Sequence, residues 1–88
     1  MFTVSYSPIA VKELAKIDRH AAAVIYGWIG KNLVGCDNPR LHGAALAGGL
    51  SGYWKYRVGD YRLISVIHDD VVVIEIIRVG HRREVYRD

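Results

Sequence analysis

The stretch Lys55-Tyr-Arg-Val-Gly-Asp-Tyr-Arg-Leu-Ile64 constrains the fold more tightly than any other part of the chain. Two runs of aromatic and branched residues flank Gly59-Asp60, a pair suited to a two-residue hairpin turn. With those two residues as the turn, Val58 faces Tyr61 and the register follows by counting. Arg57 opposes Arg62, Tyr56 opposes Leu63, Lys55 opposes Ile64 and Trp54 opposes Ser65. Opposed residues of an antiparallel pair lie on the same face, with Cβ atoms about 4.5–5.5 Å apart. Trp54, Tyr56, Val58, Tyr61, Leu63 and Ile67 therefore share one face, the natural floor for packed helices. Lys55, Arg57 and Arg62 share the other with Tyr53, Ile64, Val66, Val73 and Ile77. Exposed apolar groups beside clustered cations suggest a partner surface. Like charges set directly opposite destabilise a sheet by about a few tenths of a kcal/mol or more. A bound polyanion would reverse that cost. Arginines splayed into water, or neutralisation by Glu75 and Glu84, would also relieve it.

The rest of the chain supplies what packs on the apolar face. "FTVSY" alternates Phe2, Val4 and Tyr6 and reads as a short strand. Ser7-Pro8 marks a helix start, with serine as cap and proline in the first turn. Val11, Leu14 and Ala15 follow at helical spacing, with Lys12 and Lys16 outside. Asp18 can cap a second helix whose apolar stripe is Ala21, Val24, Ile25, Trp28, Ile29 and Leu33. Gly27 and Gly30 weaken that helix or allow close packing, and Gly35-Cys-Asp-Asn-Pro39 ends it. "RLHGAALAGGLSG" reads as a loop with one helical turn. Strands are expected at about 52–58, 61–68 and 71–79. A second two-residue turn at Asp69-Asp70 would set Leu63 opposite Ile76, Ser65 opposite Ile74, Arg62 opposite Ile77 and Ile64 opposite Glu75. "VVVIEIIRV" is continuous enough for a central strand covered on both faces. The expected fold is a single α+β domain over residues 1–88. Its order is β-α-α-β-β-β, with two N-terminal helices on one face of a small, mainly antiparallel sheet.

Composition narrows the function. The chain of 88 residues carries a net charge of +3, which permits an anionic partner. Residues 1–50 hold five Lys/Arg against three Asp/Glu, and residues 51–88 hold seven against six. A basic site must therefore come from geometry rather than from bulk charge. Cys36 is alone, so neither an internal disulfide nor a zinc site built on cysteines is possible. His20, His42 and His68 lack metal-ligand spacing, and no phosphate-binding loop, nucleophile elbow or paired-carboxylate motif is present. The start "MFTVSYSP" has no basic or apolar leader region, and no run approaches the length of a membrane span. Cytoplasmic location and no membrane contact are expected.

The C-terminal His81-Arg-Arg-Glu-Val-Tyr86 adds reactive groups. Histidine titrates near neutrality, which suits proton transfer. Arg82 and Arg83 can clamp a phosphate with forked donors, and Tyr86 can stack on a base. Singly, each also has an ordinary reading, as a surface histidine, a solvated arginine pair and a tyrosine closing a core edge.

Taken in order, "PRLHG", "LSGYWKYRVGDYR", a valine-rich strand and "VGHRREVY" resemble the RelE branch of the RelE/ParE toxin superfamily, across essentially the whole chain. The resemblance implies the toxin of a type II toxin–antitoxin system, with the RelE-like ribonuclease fold. It implies a metal-independent endoribonuclease that needs no cofactor and cleaves mRNA in the ribosomal A site. The nucleophile would be the RNA's own 2′-hydroxyl and the product a 2′,3′-cyclic phosphate. The implied catalytic residues are Lys55, Arg62, His81, Arg82 and Tyr86, and the implied RNA-binding residues are Arg57, Arg83 and Tyr53. Lys55 would activate the 2′-hydroxyl and Arg62 and Arg82 would stabilise charge on the phosphate. His81 or Arg82 would protonate the leaving oxygen. Two positions depart from the family pattern: Ala44 stands where many relatives carry a lysine after "LHG", and Tyr53 where some carry another lysine. The implied partners are a RelB-like antitoxin, in a heterodimer or heterotetramer, the ribosome with its mRNA, and operator DNA reached through the antitoxin. The alternatives are a ParE-like, non-nucleolytic gyrase inhibitor, or a weakened toxin kept for antitoxin binding.

Overall fold

The computed structural model describes residues 1–81. Arg82, Arg83, Glu84 and Tyr86 lie outside the described residues. In chain order the elements are β1 (Thr3–Tyr6), α1 (Pro8–Lys16), α2 (Arg19–Asn32), β2 (Ala44–Ala45), β3 (Trp54–Val58), β4 (Tyr61–His68) and β5 (Val73–His81), with a 3-10 turn at Gly48–Leu50 before β3. The five strands form one sheet in the order β1-β5-β4-β3-β2. Only β1 and β5 run parallel; the other neighbours are antiparallel. The expected α+β order therefore holds, with β2 as a short added edge inside the segment read as a loop. Among the described residues no helix is long and apolar enough to cross a membrane.

The helices begin where side chains satisfy their first amides. Ser7 Oγ accepts from the Ala10 amide at 3.0 Å and Pro8 occupies the first turn. Asp18 Oδ2 accepts from the Ala21 amide at 3.0 Å. Such caps contribute about 1 kcal/mol each. Their buried stripes are narrower than the sequence spacing suggests. α1 buries Ala10 and Leu14, whereas Val11 is 51% exposed and Ala15 is also exposed. The side chain of Ala10 is small enough for the helix to lie close to β5. In α2, Ile25 and Ile29 are buried with the following Leu33, and Val24 is exposed. A Cβ on Gly27 or Gly30 would meet nothing within 4 Å, so neither glycine serves close packing. The core joins these residues to Phe2, Tyr56, Val58, Leu63, Ile74, Ile76 and Val79.

The first hairpin has the register expected from Gly59-Asp60, from Val58 opposite Tyr61 to Trp54 opposite Ser65. The second differs. Its turn spans Asp69 to Val72, so His68 pairs with Val73, Ile67 with Ile74, and Ser65 with Ile76. An irregularity between Ile64 and Ser65 then moves the pairing on by one residue, placing Ile64 opposite Arg78, Leu63 opposite Val79 and Arg62 opposite Gly80. The expected pairings of Leu63 with Ile76, Ser65 with Ile74, Arg62 with Ile77 and Ile64 with Glu75 are thus replaced. Two forces displace the turn. Asp69 is held by Arg40 through paired bonds of 3.0 and 2.8 Å. Val72 packs against the core although its φ is +58°. The irregularity lets Ile74, Ile76 and Val79 all reach the helix side, which strict alternation forbids. β5 is an internal strand, but its opposite face is only half-buried, not covered as expected.

Candidate functional site

The alternating aromatics and cations of β3 have separate tasks. Trp54 and Tyr56 point to the helix side and hold the preceding loop. Trp54 Nε1 donates to the His42 carbonyl at 2.7 Å, and the Tyr56 hydroxyl donates to the Pro39 carbonyl at 2.7 Å. The Trp28 ring lies 5.8 Å from His42 and 5.7 Å from Tyr56. Burial pushes the Tyr56 phenol well above its ordinary range, so it stays a neutral donor. Between these anchors the loop passes so close to β3 that a Cβ on Gly43 would strike the Lys55 carbonyl oxygen. Gly43 also sits at φ +79°, a region open to glycine at little cost. The "LHG" segment is therefore bolted to the strand that carries Lys55, and Ala44 of β2 pairs directly with Lys55.

On the other side of the same strands, Lys55, Arg57 and Arg62 share a face. Arg57 opposes Arg62 in register and Lys55 opposes Ile64. Lys55 is thus diagonal to Arg62, about 7–8 Å away by sheet geometry. Lys55 and Arg62 are half-buried and Arg57 is exposed. The opposed arginines part by bending: Arg62 Nη1 turns back to the carbonyls of Gly59 and Tyr61, at 3.3 and 3.2 Å. Gly80 faces Arg62 from β5 and adds no side chain there. Of the two carboxylates expected to neutralise these arginines, Glu84 lies outside the described residues and Glu75 is elsewhere. Glu75 lies beside Val66 and contacts His68 at 3.0 Å, four residues along β4 from Arg62, or about 13 Å at strand rise.

The apolar groups of this face are not exposed as expected. Ile64 is 4% exposed, and Tyr53, Val66, Val73 and Ile77 are half-buried. Among the described residues the large exposed hydrophobics lie instead at the N-terminus, on the outer helix surfaces and in loops: Met1, Ile9, Val11, Val24, Tyr26, Val34, Leu41 and Val71. The cationic face is therefore a firm, partly apolar floor with charges standing on it.

His81 is not brought together with the three cations. It pairs with Tyr61, whose face is the helix side, and the two rings stand edge to face at 5.9 Å. Both line a cleft of about 320 Å³ with Glu13, Lys16, Arg78 and Val79. Arg82, Arg83 and Tyr86 follow in sequence and are outside the described residues. Among the described residues no cluster of three His, Cys, Asp or Glu could hold a metal ion. Burial pushes the Cys36 thiol up, away from the thiolate that a reactive cysteine needs. Sequence reasoning did not single out Glu13 and Arg78, which bond each other across the cleft at 3.1–3.3 Å. Their separation of 65 residues leaves no local signal for the pair.

Comparison with known proteins gives a consistent assignment. The family model described as the ParE toxin of the type II toxin–antitoxin system parDE matches residues 4–86. The chain is 30% identical to Toxin RelG of Mycobacterium tuberculosis over 86 residues, covering 98% of this chain and 97% of that protein. A chain of the toxin–antitoxin complex RelBE2 from Mycobacterium tuberculosis is similar in structure, with TM-score 0.83 and 30% identity over 92% of this chain and 98% of the other. A substituted E. coli toxin RelE in the free state superposes with TM-score 0.76 at 25% identity, over 97% of this chain and 90% of that one. The archaeal RelE–RelB complex from Pyrococcus horikoshii shares the fold, with TM-score 0.71 at 22% identity, over 94% and 97% of the two chains.

Proposed function

The chain belongs to the RelE/ParE superfamily of type II toxins, and from that premise we propose that it is a ribosome-dependent mRNA endoribonuclease. The observation that carries the reading is the shared face of Lys55, Arg57 and Arg62 across the first hairpin. Cleavage by the RNA's own 2′-hydroxyl asks three things of a protein. It must hold the sugar-phosphate in line, take a proton from the hydroxyl, and meet the negative charge that develops on phosphorus and on the leaving 5′-oxygen. Preorganised cations at the phosphate are the largest available source of rate. Arg62 is half-buried and braced on two turn carbonyls, which fixes its guanidinium before substrate arrives. Lys55 is diagonal to it and takes the role of activating the 2′-hydroxyl. Arg57, exposed beside Arg62, grips a neighbouring phosphate, and Tyr53 offers a ring at the rim. His81 faces the helix side, so meeting the leaving 5′-oxygen and giving it a proton falls to Arg82. Arg83 adds a further phosphate contact and Tyr86 stacks on a base. No metal enters these steps.

The partners follow from the same reading: ribosome-bound mRNA on the cationic face and a RelB-like antitoxin that inactivates the toxin. Relatives crystallised with such antitoxins support the second. Operator DNA would be reached through the antitoxin, and the working compartment is the cytoplasm.

Induced expression followed by mapping of mRNA 5′ ends on ribosomes tests the proposal. Cleavage within the A-site codon is expected for the wild type and is lost in Arg62→Ala and Arg82→Ala. Growth arrest with intact mRNA would overturn it. The match to a ParE model favours one other reading, a gyrase inhibitor without nuclease activity. That reading predicts a DNA-damage response while translation continues.

A further inference from the structure

The face that carries Lys55 also carries an acid. Along β4, Ile64, Val66 and His68 alternate onto one side. Lys55 pairs with Ile64 and Glu75 pairs with Val66, so Lys55, Glu75 and His68 stand on the same face. Glu75 Oε1 lies 3.0 Å from His68 Nε2. An ionised carboxylate only accepts hydrogen bonds, so Nε2 carries the hydrogen. The Glu75 and His68 side chains are 36% and 39% exposed. Exposed pairs of this kind add little to stability; what the bond does is hold one carboxylate still. A carboxylate repels the phosphates of an RNA on this face. It suits the face only where a base, not a phosphate, lies over it.

The spacing suits one nucleotide. Val66 is two residues from Ile64 along β4, and Glu75 is one strand farther from β3. With neighbouring strands about 4.8 Å apart and a rise of about 3.3 Å per residue, the Lys55 and Glu75 Cα atoms are about 12 Å apart. The floor between them is apolar: Ile64 is buried and Val66 half-buried. A nucleotide with its ribose at Lys55 spans that floor, and its pairing edge meets the Glu75 carboxylate once both side chains lean inward. We propose that Glu75, held by His68, is a specificity residue that selects guanine in the nucleotide whose 2′-hydroxyl attacks. The proposal rests on the reading of Lys55 as the group that activates that hydroxyl. Donors and acceptors decide the base. The pairing edge of guanine presents two adjacent N–H donors, which match the two oxygens of a carboxylate. Adenine and cytosine each set an acceptor beside a single amino group, and uracil flanks its one N–H with acceptors. Single-stranded RNA is read on these edges, and a paired contact of this kind discriminates against the wrong base by about tenfold or more.

The first readout is the cleavage rate of ribosome-bound mRNAs that differ only in the base of that nucleotide. Wild type is expected to prefer guanine over each other base by about tenfold or more. Glu75→Gln keeps an oxygen for His68 but sets an amino group against the donors of guanine. It should cut all four RNAs at rates within about threefold of one another, with thermal unfolding unchanged. His68→Ala leaves the carboxylate present but unheld, and should lower the guanine preference while the rate on adenine stays. A merely structural pair would leave that ratio unmoved. The second readout needs no ribosome. The isolated protein is titrated with a trinucleotide whose central base is guanine or adenine, made 2′-deoxy at that nucleotide so that it cannot be cut. The NMR signals of the Glu75 and His68 side chains are expected to shift with guanine and not with adenine. A guanine preference that survives Glu75→Gln, a variant that slows all four RNAs equally, or a wild type with no guanine preference would overturn the proposal. A wild type that leaves every mRNA intact would refute the nuclease reading, and the trinucleotide titration would then decide the contact with guanine.

Discussion

The two hairpins share β4 but are specified differently. The β3–β4 hairpin is decided locally. Gly59-Asp60 closes it, the turn fixes the register, and residues at alternate positions divide into anchors and cations. The β4–β5 hairpin is decided by distant groups. Arg40 draws Asp69 out of a tight turn, Val72 accepts a left-handed backbone to reach the core, and Ser7 and Glu13 seize the far end of β5. The lesson is that a turn sequence predicts register only when nothing outside the hairpin competes for its residues. The proposed site uses the first kind of control: a locally templated face for Lys55, Arg57 and Arg62.

The largest losses are expected where the loop before β3 is held against that strand. Gly43→Ala places a methyl group against the Lys55 carbonyl at a backbone angle suited to glycine. A loss of about 3 kcal/mol is expected from overpacking and strain together, read as a lower urea midpoint. Tyr56→Phe leaves the buried Pro39 carbonyl without its donor. It should cost about 1–2 kcal/mol by the same measurement, with the β3–β4 register unchanged by NMR. On the tertiary side, Val72→Gly relieves the positive φ but removes a packed side chain. Strain and burial are each about 1–3 kcal/mol, so the net change should stay within about 1 kcal/mol of zero, seen in thermal unfolding. The smallest effect concerns pH. The Arg40 bond holds the Asp69 carboxyl below its usual range. Its stabilisation is therefore complete above the ordinary carboxylate pKa and is lost as pH falls toward the lower, folded value. The Tm difference between wild type and Asp69→Asn should shrink between neutrality and about pH 3. A difference that grows on acidification would show the clamp to be absent.

Local rules made much of this structure legible. The caps at Ser7 and Asp18, the four main strands and the β3–β4 register all follow from short-range residue patterns. So does the separation of Trp54 and Tyr56 from Lys55 and Arg57, because period-two alternation needs no tertiary information. Other features depend on what packs where. Val11 and Ala15 fit a helical stripe as well as Ala10 does, and only the approach of α1 to β5 selects Ala10. The irregularity in β5 cannot be read from "VVVIEIIRV", since Ile77 suits either face by composition. The edge strand Ala44–Ala45 has no apolar pattern of its own and forms because Trp54 and Tyr56 hold the loop against β3. The family resemblance groups His81 with the cations, whereas the shifted register sets it opposite Tyr61.

The central claim is that the cationic face of the β3–β4 hairpin, and not the positive charge of the chain as a whole, performs the chemistry. Single-turnover cleavage of ribosome-bound mRNA by Lys55→Met and by Lys12→Met tests it most directly, because both variants lose one positive charge and Lys12 lies on exposed α1. The rate should fall about 100-fold or more in Lys55→Met, as when preorganised transition-state contacts are removed, and stay within about threefold of wild type in Lys12→Met. Equal, small losses in the two variants would contradict the account.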